Sequence, residues 1–358
     1  MIKVLIVDDS ASVRMLFAEL FKREDDFEVV GCAEDGYSAL RMVRDLKPDV
    51  VTMDVNLPDC DGFRVTRMIM EQNPVPIVVI SAVYSASDAE IGFRLIDTGA
   101  LAFHNKPALK SENFEEQMQE IILSVRLMSE VKVVRRKSRY RSGTVPEPPA
   151  SSSIDCLPMP SSCKGKVICI GASTGGPQAI KCVLSSLPHD FPAPILIVQH
   201  MSEGFTDGLV NWLKNNTGHD VCVAAHGDVL KSGRVYFAPE GLHMEISAGL
   251  KIVLTAGPCV NEIRPSASVL FSSAARNLGS SVVGVLLTGM GRDGADGLLE
   301  IKNSGGYTIA QDKESSIVFG MPGEAVKIGA AKSILPINNI GAHLCRIFLG
   351  LPEGSRAK

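Results

Sequence analysis

Three segments in the second half of the chain set a nucleophile, a base and an acid at the ends of apolar runs. The run 166–170 leads into Gly171-Ala172-Ser173-Thr174-Gly175-Gly176 and then Pro177, which opens a helical pattern. Glycines around a serine at a strand-to-helix turn let the backbone bend sharply, expose the hydroxyl and present N–H groups at a helix start. Gln199-His200-Met201 ends the run 193–198, and Leu287-Thr288-Gly289-Met290-Gly291-Arg292-Asp293-Gly294 ends the run 281–287. Ser173, His200 and Asp293 therefore sit at the carboxyl ends of strands of one sheet, where they can meet in a crevice as a catalytic triad requires. Each also has an everyday reading: a phosphate-binding loop, a capped surface or core histidine, a helix-capping aspartate in a tight turn. The phosphate loop fails on its pattern, because Ser173 takes the place of the middle glycine of G-x-G-x-x-G and no P-loop lysine follows. The order Ser, His, Asp departs from the Ser, Asp, His of α/β-hydrolases, so the elbow matches and that fold does not.

The first half gathers acids in the same way. Asp8 and Asp9 follow the run 3–7, Asp54 follows 49–53, Ser81 follows 76–80, and Lys106-Pro107 follow 101–104. Three carboxylates at one sheet edge repel each other and suit a hard cation with oxygen ligands, Mg²⁺. The Ser81 hydroxyl and the Lys106 ammonium are placed to bind phosphoryl oxygens. Singly these are solvated turns and loop surface; at successive strand ends of one unit they point to phosphoryl chemistry.

The elements that must position these groups follow from periodicity. In the first half the apolar runs, including 28–32, alternate with amphipathic segments at 11–22, 36–46, 63–72, 87–98 and 113–128, five β–α repeats that predict a doubly wound parallel sheet. In the second half runs at 166–170, 193–198, 221–224, 234–238, 251–254, 281–287 and 307–310 are interleaved with helical patterns at 175–186, 205–216, 266–277, 293–303 and 338–348. This is a second α/β domain, not a copy of the first. Between them a basic stretch (Lys132, Arg135, Arg136, Lys137, Arg139, Arg141) gives way to dense Pro and Ser, the composition of a flexible, solvated linker. A chain of 358 residues has room for both domains and the connector.

Composition narrows the class. Hydrophobic residues at 45% and charged residues at 21% exclude bulk disorder. With 36 Lys+Arg against 40 Asp+Glu, no global basic field recruits nucleic acid or an anionic membrane. The nine cysteines form no C-x-x-C pair and read as reduced, buried thiols rather than a disulfide frame or a zinc site. No apolar run approaches the ~18 residues that span a bilayer, and the apolar opening is too short for a signal peptide. The expectation is a cytoplasmic protein without direct membrane insertion, with a monomer as the default.

Val7-Asp8-Asp9-Ser10, Asp54 followed by Leu57-Pro58 and Asp61-Gly62, and Lys106-Pro107 together resemble the receiver domain of response regulators. The resemblance implies that Asp54 accepts a phosphoryl group from a chemotaxis histidine kinase, that Asp8, Asp9 and Asp54 hold Mg²⁺, and that Ser81, Phe103 and Lys106 form the switch. His104-Asn105 before Lys106 depart from the common pattern.

The combination of Ile170–Pro177, Val198–Met201, Arg264-Pro265-Ser266, Leu287–Ala295 and Phe319–Pro322 is similar to the catalytic domain of chemotaxis protein-glutamate methylesterases. That resemblance implies a receiver at 1–125, a linker at 126–163 and a methylesterase domain at 164–354, the first flavodoxin-like and the second Rossmann-like. It makes Ser173 the nucleophile, His200 the base and then acid, Asp293 the orienting carboxylate, and Met290 the oxyanion donor with Thr174 close by. The implied substrates are glutamate methyl esters on methyl-accepting chemoreceptors, releasing methanol, with receptor glutamines deamidated as well; the esterase step needs no cofactor. Arg264 and His243 are candidates for the crevice, with a structural role equally open to each, and Ser268 and Glu262-Ile263 depart from the family pattern. In the resting chain the receiver is expected to cover Ser173 until Asp54 is phosphorylated. Two other readings stand beside it: a receiver-controlled transcription factor, suggested by the basic linker but opposed by the strand-rich second half, and a non-catalytic receptor-binding adaptor.

Overall fold

The computed structural model describes residues 1–82, 93, 95, 97–107, 113–131, 133, 166–201, 204–261 and 263–349. Most of the expected linker, Glu262, and most of the helix expected at 87–98 lie outside the described residues.

The first domain is a five-stranded parallel sheet in the order β2-β1-β3-β4-β5. Its strands are β1 (Ile2–Val7), β2 (Phe27–Ala33), β3 (Val50–Met53), β4 (Ile77–Ser81) and β5 (Ala102–Asn105). The helices are α1 (Ala11–Lys22), α2 (Gly36–Leu46), α3 (Gly62–Gln72) and α4 (Phe114–Ser129), the last running past residue 125. Residues 93, 95, 97 and 98 also have helical backbone. β3 and β4 are buried at every residue, as a sheet covered on both faces requires. Local sequence starts the helices: the Asp35 carboxylate accepts from the Ser38 N–H at 2.7 Å and the Ser38 hydroxyl closes a capping box on α2.

The second domain is a seven-stranded parallel sheet in the order β14-β13-β12-β6-β7-β9-β8. Its strands are β6 (Val167–Ala172), β7 (Ile195–Gln199), β8 (Asp220–Val223), β9 (Arg234–Phe237), β12 (Val282–Leu286), β13 (Tyr307–Gln311) and β14 (Ser333–Leu335). Helices α5 (Gly176–Ser185), α6 (Thr206–Thr217), α7 (Ala267–Leu278), α8 (Ala295–Asn303), α9 (Met321–Lys327) and α10 (Ile337–Leu349) cover it. Alternate residues of the central strand feed two separate cores: Ile168, Ile170 and Ala172 on one face, Val167 and Cys169 on the other.

Two expectations need correction. The run 251–254 does not join the main sheet; β11 (Ile252–Thr255) pairs antiparallel with β10 (His243–Ile246) in a separate two-stranded ribbon. Among the described residues the cysteines are free thiols but not uniformly buried, and Cys156 and Cys163 lie outside the described residues. Cys169 is enclosed, whereas Cys32, on the edge strand β2, and Cys259, in a loop, are exposed. Apolar neighbours in sequence do not guarantee burial at a sheet edge. Among the described residues no helix is long and apolar enough to cross a membrane.

Candidate active site

The topology gathers the three chemical residues. β12, β6 and β7 are adjacent in the sheet, and Asp293, Ser173 and His200 lie just beyond their carboxyl ends. All three line one cavity of about 1310 Å³, together with Thr174, Met290 and Arg264.

Asp293 is 1% exposed and is the best-anchored of the three. One oxygen accepts from the Ser266 hydroxyl at 2.6 Å and the Ser268 N–H at 3.2 Å; the other accepts from the Ala267 N–H at 2.6 Å and meets His200 Nε2 at 2.9 Å. Burial pushes this carboxyl up, but the imidazole and the hydrogen bonds from the start of α7 outweigh it and hold the pKa well below the carboxylate range. Asp293 therefore stays ionised and fixes a proton on Nε2, leaving the lone pair of a neutral ring on Nδ1. That Nδ1 is enclosed and has no hydrogen-bond partner among the described residues, and none joins the Ser173 hydroxyl to the ring. The base is thus oriented by its acid while its other nitrogen is uncommitted.

Around Ser173 the elbow is held by residues that sequence reasoning missed. The Gln199 side-chain amide donates to the Ser173 and His200 carbonyls, each at 2.8 Å, tying nucleophile to base. The Ser173 N–H donates to Thr288 O at 3.0 Å, and the Thr288 hydroxyl donates to Thr174 O at 3.0 Å. Gln311 in turn accepts from the Thr288 N–H at 2.8 Å. Gly289 is required by close approach, since a Cβ there would lie 2.7 Å from the Ser173 Cβ and against the Met321 sulfur. The backbone N–H groups of Thr174 and Met290 donate to no acceptor among the described residues. The only hint in sequence was the polar residue Gln199 ending an apolar strand.

His243 does not face the crevice. It is 2% exposed, its Nε2 donates to Pro258 O at 3.0 Å, and its Nδ1 accepts from the Ser266 N–H at 3.2 Å, so it braces the segment that grips Asp293. Ser268, a departure from the family pattern, accepts from the Gly294 N–H at 2.7 Å beside that same carboxylate.

In the first domain Asp8, Asp9 and Asp54 bring carboxylate oxygens within 4.8 Å of one another. Lys106 Nζ lies 2.7 Å from Asp8 and 2.6 Å from Asp54, both almost wholly buried. Burial raises the Asp8 pKa; burial would lower that of Lys106, but its bonds to Asp54 and Asp8 prevail and raise it. Ser81 is buried at the end of the neighbouring strand β4, where its carbonyl accepts from the Lys106 N–H at 3.0 Å. Phe103 instead turns toward the second domain. Its ring is 4.9 Å from Phe205 in an edge-on contact, and Phe93 stacks on Phe103 and packs at a tilt against Trp212. Asp97 adds polar ties to Lys181 Nζ at 2.6 Å and to Trp212 Nε1 at 3.1 Å. The first domain thus forms the far wall of the cavity, through Phe103, His104, Glu116, Gln119 and Glu120.

Comparison with known proteins agrees with this two-part architecture. The response regulator receiver domain family matches residues 4–118 and the CheB methylesterase family matches residues 168–344. The chain is 47% identical over 347 residues to protein-glutamate methylesterase/protein-glutamine glutaminase 1 of Syntrophus aciditrophicus, covering 97% of this chain and 98% of that one. It is 45% identical to protein-glutamate methylesterase/protein-glutamine glutaminase 2 of Methanospirillum hungatei, covering 96% and 97% respectively. The crystal structure of the Thermotoga maritima CheB methylesterase catalytic domain superposes with a TM-score of 0.50 at 39% identity, covering 51% of this chain and 98% of that one. A receiver domain in front of a methylesterase domain, with relatives alike over nearly the full length, means that the chain belongs to the protein-glutamate methylesterase/protein-glutamine glutaminase (CheB) family.

Proposed function

We propose that this protein is a phosphorylation-activated hydrolase of glutamate methyl esters on methyl-accepting chemoreceptors, releasing methanol, and that it also deamidates receptor glutamines. The observation that carries the reading is the buried Asp293–His200 pair at 2.9 Å, set beside Ser173 in one crevice with an uncommitted imidazole nitrogen. Ser173 Oγ attacks the ester carbonyl while His200 Nδ1 takes its proton. The backbone N–H groups of Thr174 and Met290 receive the developing oxyanion, which fixed donors stabilise without reorganisation. Nδ1–H then protonates the leaving methoxide to methanol. Water, deprotonated by the same nitrogen, cleaves the acyl-enzyme to glutamate and restores Ser173. Throughout, Asp293 stabilises the imidazolium and keeps its orientation.

Asp54 is the phosphoryl acceptor, supplied by a chemotaxis histidine kinase. The donor set of Asp8, Asp9 and Asp54 suits a hard cation, and Mg²⁺ bound there would neutralise charge during phosphoryl transfer. Lys106 and Ser81 bind the phosphoryl oxygens once it has arrived. In the unphosphorylated chain the receiver covers the crevice through Phe93, Phe103 and Asp97. A phosphoryl group on Asp54 takes Lys106 off the two carboxylates it now bridges and draws in the Ser81 hydroxyl, which repacks the ends of β4 and β5, on which Phe103 sits, and loosens that cover.

The test is methanol release from methyl-esterified receptor, together with covalent labelling by a serine-directed probe. Ser173→Ala should abolish both. Receptor binding with no methanol from the wild type and no labelling of Ser173 would favour the adaptor reading instead, and steeply salt-dependent binding to duplex DNA would favour the transcription factor.

A further inference from the structure

Arg264 lines the crevice beside Ser173 and His200, yet the catalytic steps do not use it. Its guanidinium is held in place: Nη1 donates to Gly257 O at 2.9 Å and to Ala256 O at 3.4 Å. Nε is enclosed, and neither Nε nor Nη2 has a hydrogen-bond or ion-pair partner among the described residues. Arg292, the other arginine on this wall, is already paired with Asp296 at 2.7 Å. Arg264 is also in register with the chemistry, because two residues on the Ser266 hydroxyl grips Asp293. A partly enclosed guanidinium with no counter-ion among the described residues is a strong receptor for carboxylate, whose two oxygens match its planar fork.

The far wall indicates what such a cation meets. The segment of this chain that closes the crevice places the acidic and amide residues Glu116, Gln119 and Glu120 of α4 on the cavity that Arg264 lines, beside apolar Leu123 and Leu127, while the one arginine of that helix on the cavity, Arg126, is already paired with Glu24 and Asp26. The crevice is therefore compatible with acidic side chains around the reacting group, and Arg264 is the cation on the catalytic wall free to read them. We propose that Arg264 is a specificity-determining residue that binds a carboxylate flanking the scissile ester, so that glutamate methyl esters set among acidic residues are preferred to those set among neutral ones. This rests on the esterase reading given above.

The experiment uses the full chain with Mg²⁺ and a small phosphodonor, and two peptides carrying one glutamate methyl ester flanked by glutamates or by alanines. The readout is the ratio of the two kcat/KM values. A charge-assisted hydrogen bond predicts a wild-type preference of roughly 10- to 100-fold for the acidic peptide. Arg264→Gln should bring the ratio close to one, and Arg264→Lys, which keeps the charge without the fork, should leave it in between. In the wild type the ratio should also shrink as ionic strength rises. A residue that merely braces the turn at 256–257 would lower both rates together and leave the ratio unchanged, which would overturn the proposal, as would equal rates in the wild type. Absence of methanol from both peptides and from methyl-esterified receptor would instead refute the esterase reading, and this inference with it.

Discussion

Removing the Asp97 carboxylate should switch the enzyme on without phosphate. Asp97 accepts from Lys181 Nζ at 2.6 Å and from Trp212 Nε1 at 3.1 Å, so one receiver side chain ties down two catalytic-domain helices. The lysine pair is partly exposed, with side-chain exposures of 27% and 34%, and solvent screening limits it to ~0.2–1 kcal/mol. Trp212 is fully buried, so in the closed form of Asp97→Ala its indole N–H loses its acceptor, a penalty of ~1–3 kcal/mol that opening to water relieves. A combined shift of about 2 kcal/mol changes the open-to-closed ratio about 30-fold. Unphosphorylated Asp97→Ala should therefore release methanol from receptor about 30-fold faster than the unphosphorylated wild type, capped at the phosphorylated wild-type rate. Lys181→Ala should gain only a few-fold, because it removes the weaker contact. The variant and wild type should converge when phosphodonor is added. Basal activity at or below the wild-type level, with the stimulated rate intact, would refute the idea that this interface holds the crevice shut.

Asp293→Asn turns an amide toward donors that now meet a carboxylate and removes the group that sets the imidazole tautomer; kcat should fall about 10⁴-fold, measured as methanol release by the phosphorylated chain. Gln199→Ala frees the Ser173 and His200 carbonyls from their shared tie, and misplacement on the order of 1 Å should lower kcat about 10²-fold with KM little changed; an unchanged kcat would contradict that role. Burial lowers the His104 pKa to about 4. Below pH ~6.5 the unfolded chain binds a proton that folded His104 refuses, so this stability is complete above that pH and is lost as pH falls toward 4. The loss is at most about 3 kcal/mol. Urea denaturation at stepped pH should show a shallower acid slope for His104→Gln than for the wild type.

Much of this architecture was legible in the sequence because strand-end chemistry is local. Apolar runs located the strands, parallel α/β topology put their carboxyl ends on one edge, and Ser173, His200 and Asp293 fell on three neighbouring strands. What the sequence hid was long-range. Gln199 reads as one more polar residue ending a strand, and only folding brings its amide onto two carbonyls. Asp97, Phe93 and Trp212 look like ordinary amphipathic positions, and their meeting depends on how two domains dock. For His243 the sequence left a place on the crevice and a structural role equally open, and only its hydrogen bonds to Pro258 and Ser266 show it bracing backbone. The ribbon of β10 and β11 was missed for a related reason: four-residue strands carry too little periodicity to reveal which sheet they join.

The most direct test of a phosphate-gated serine esterase is methanol release from methyl-esterified chemoreceptor by wild type, Ser173→Ala and Asp54→Ala, each with and without a small phosphodonor and Mg²⁺. Phosphodonor should stimulate the wild type, leave Asp54→Ala at its basal rate, and draw no methanol from Ser173→Ala in any condition. Equal stimulation of Asp54→Ala, or methanol release that survives Ser173→Ala, would contradict that mechanism.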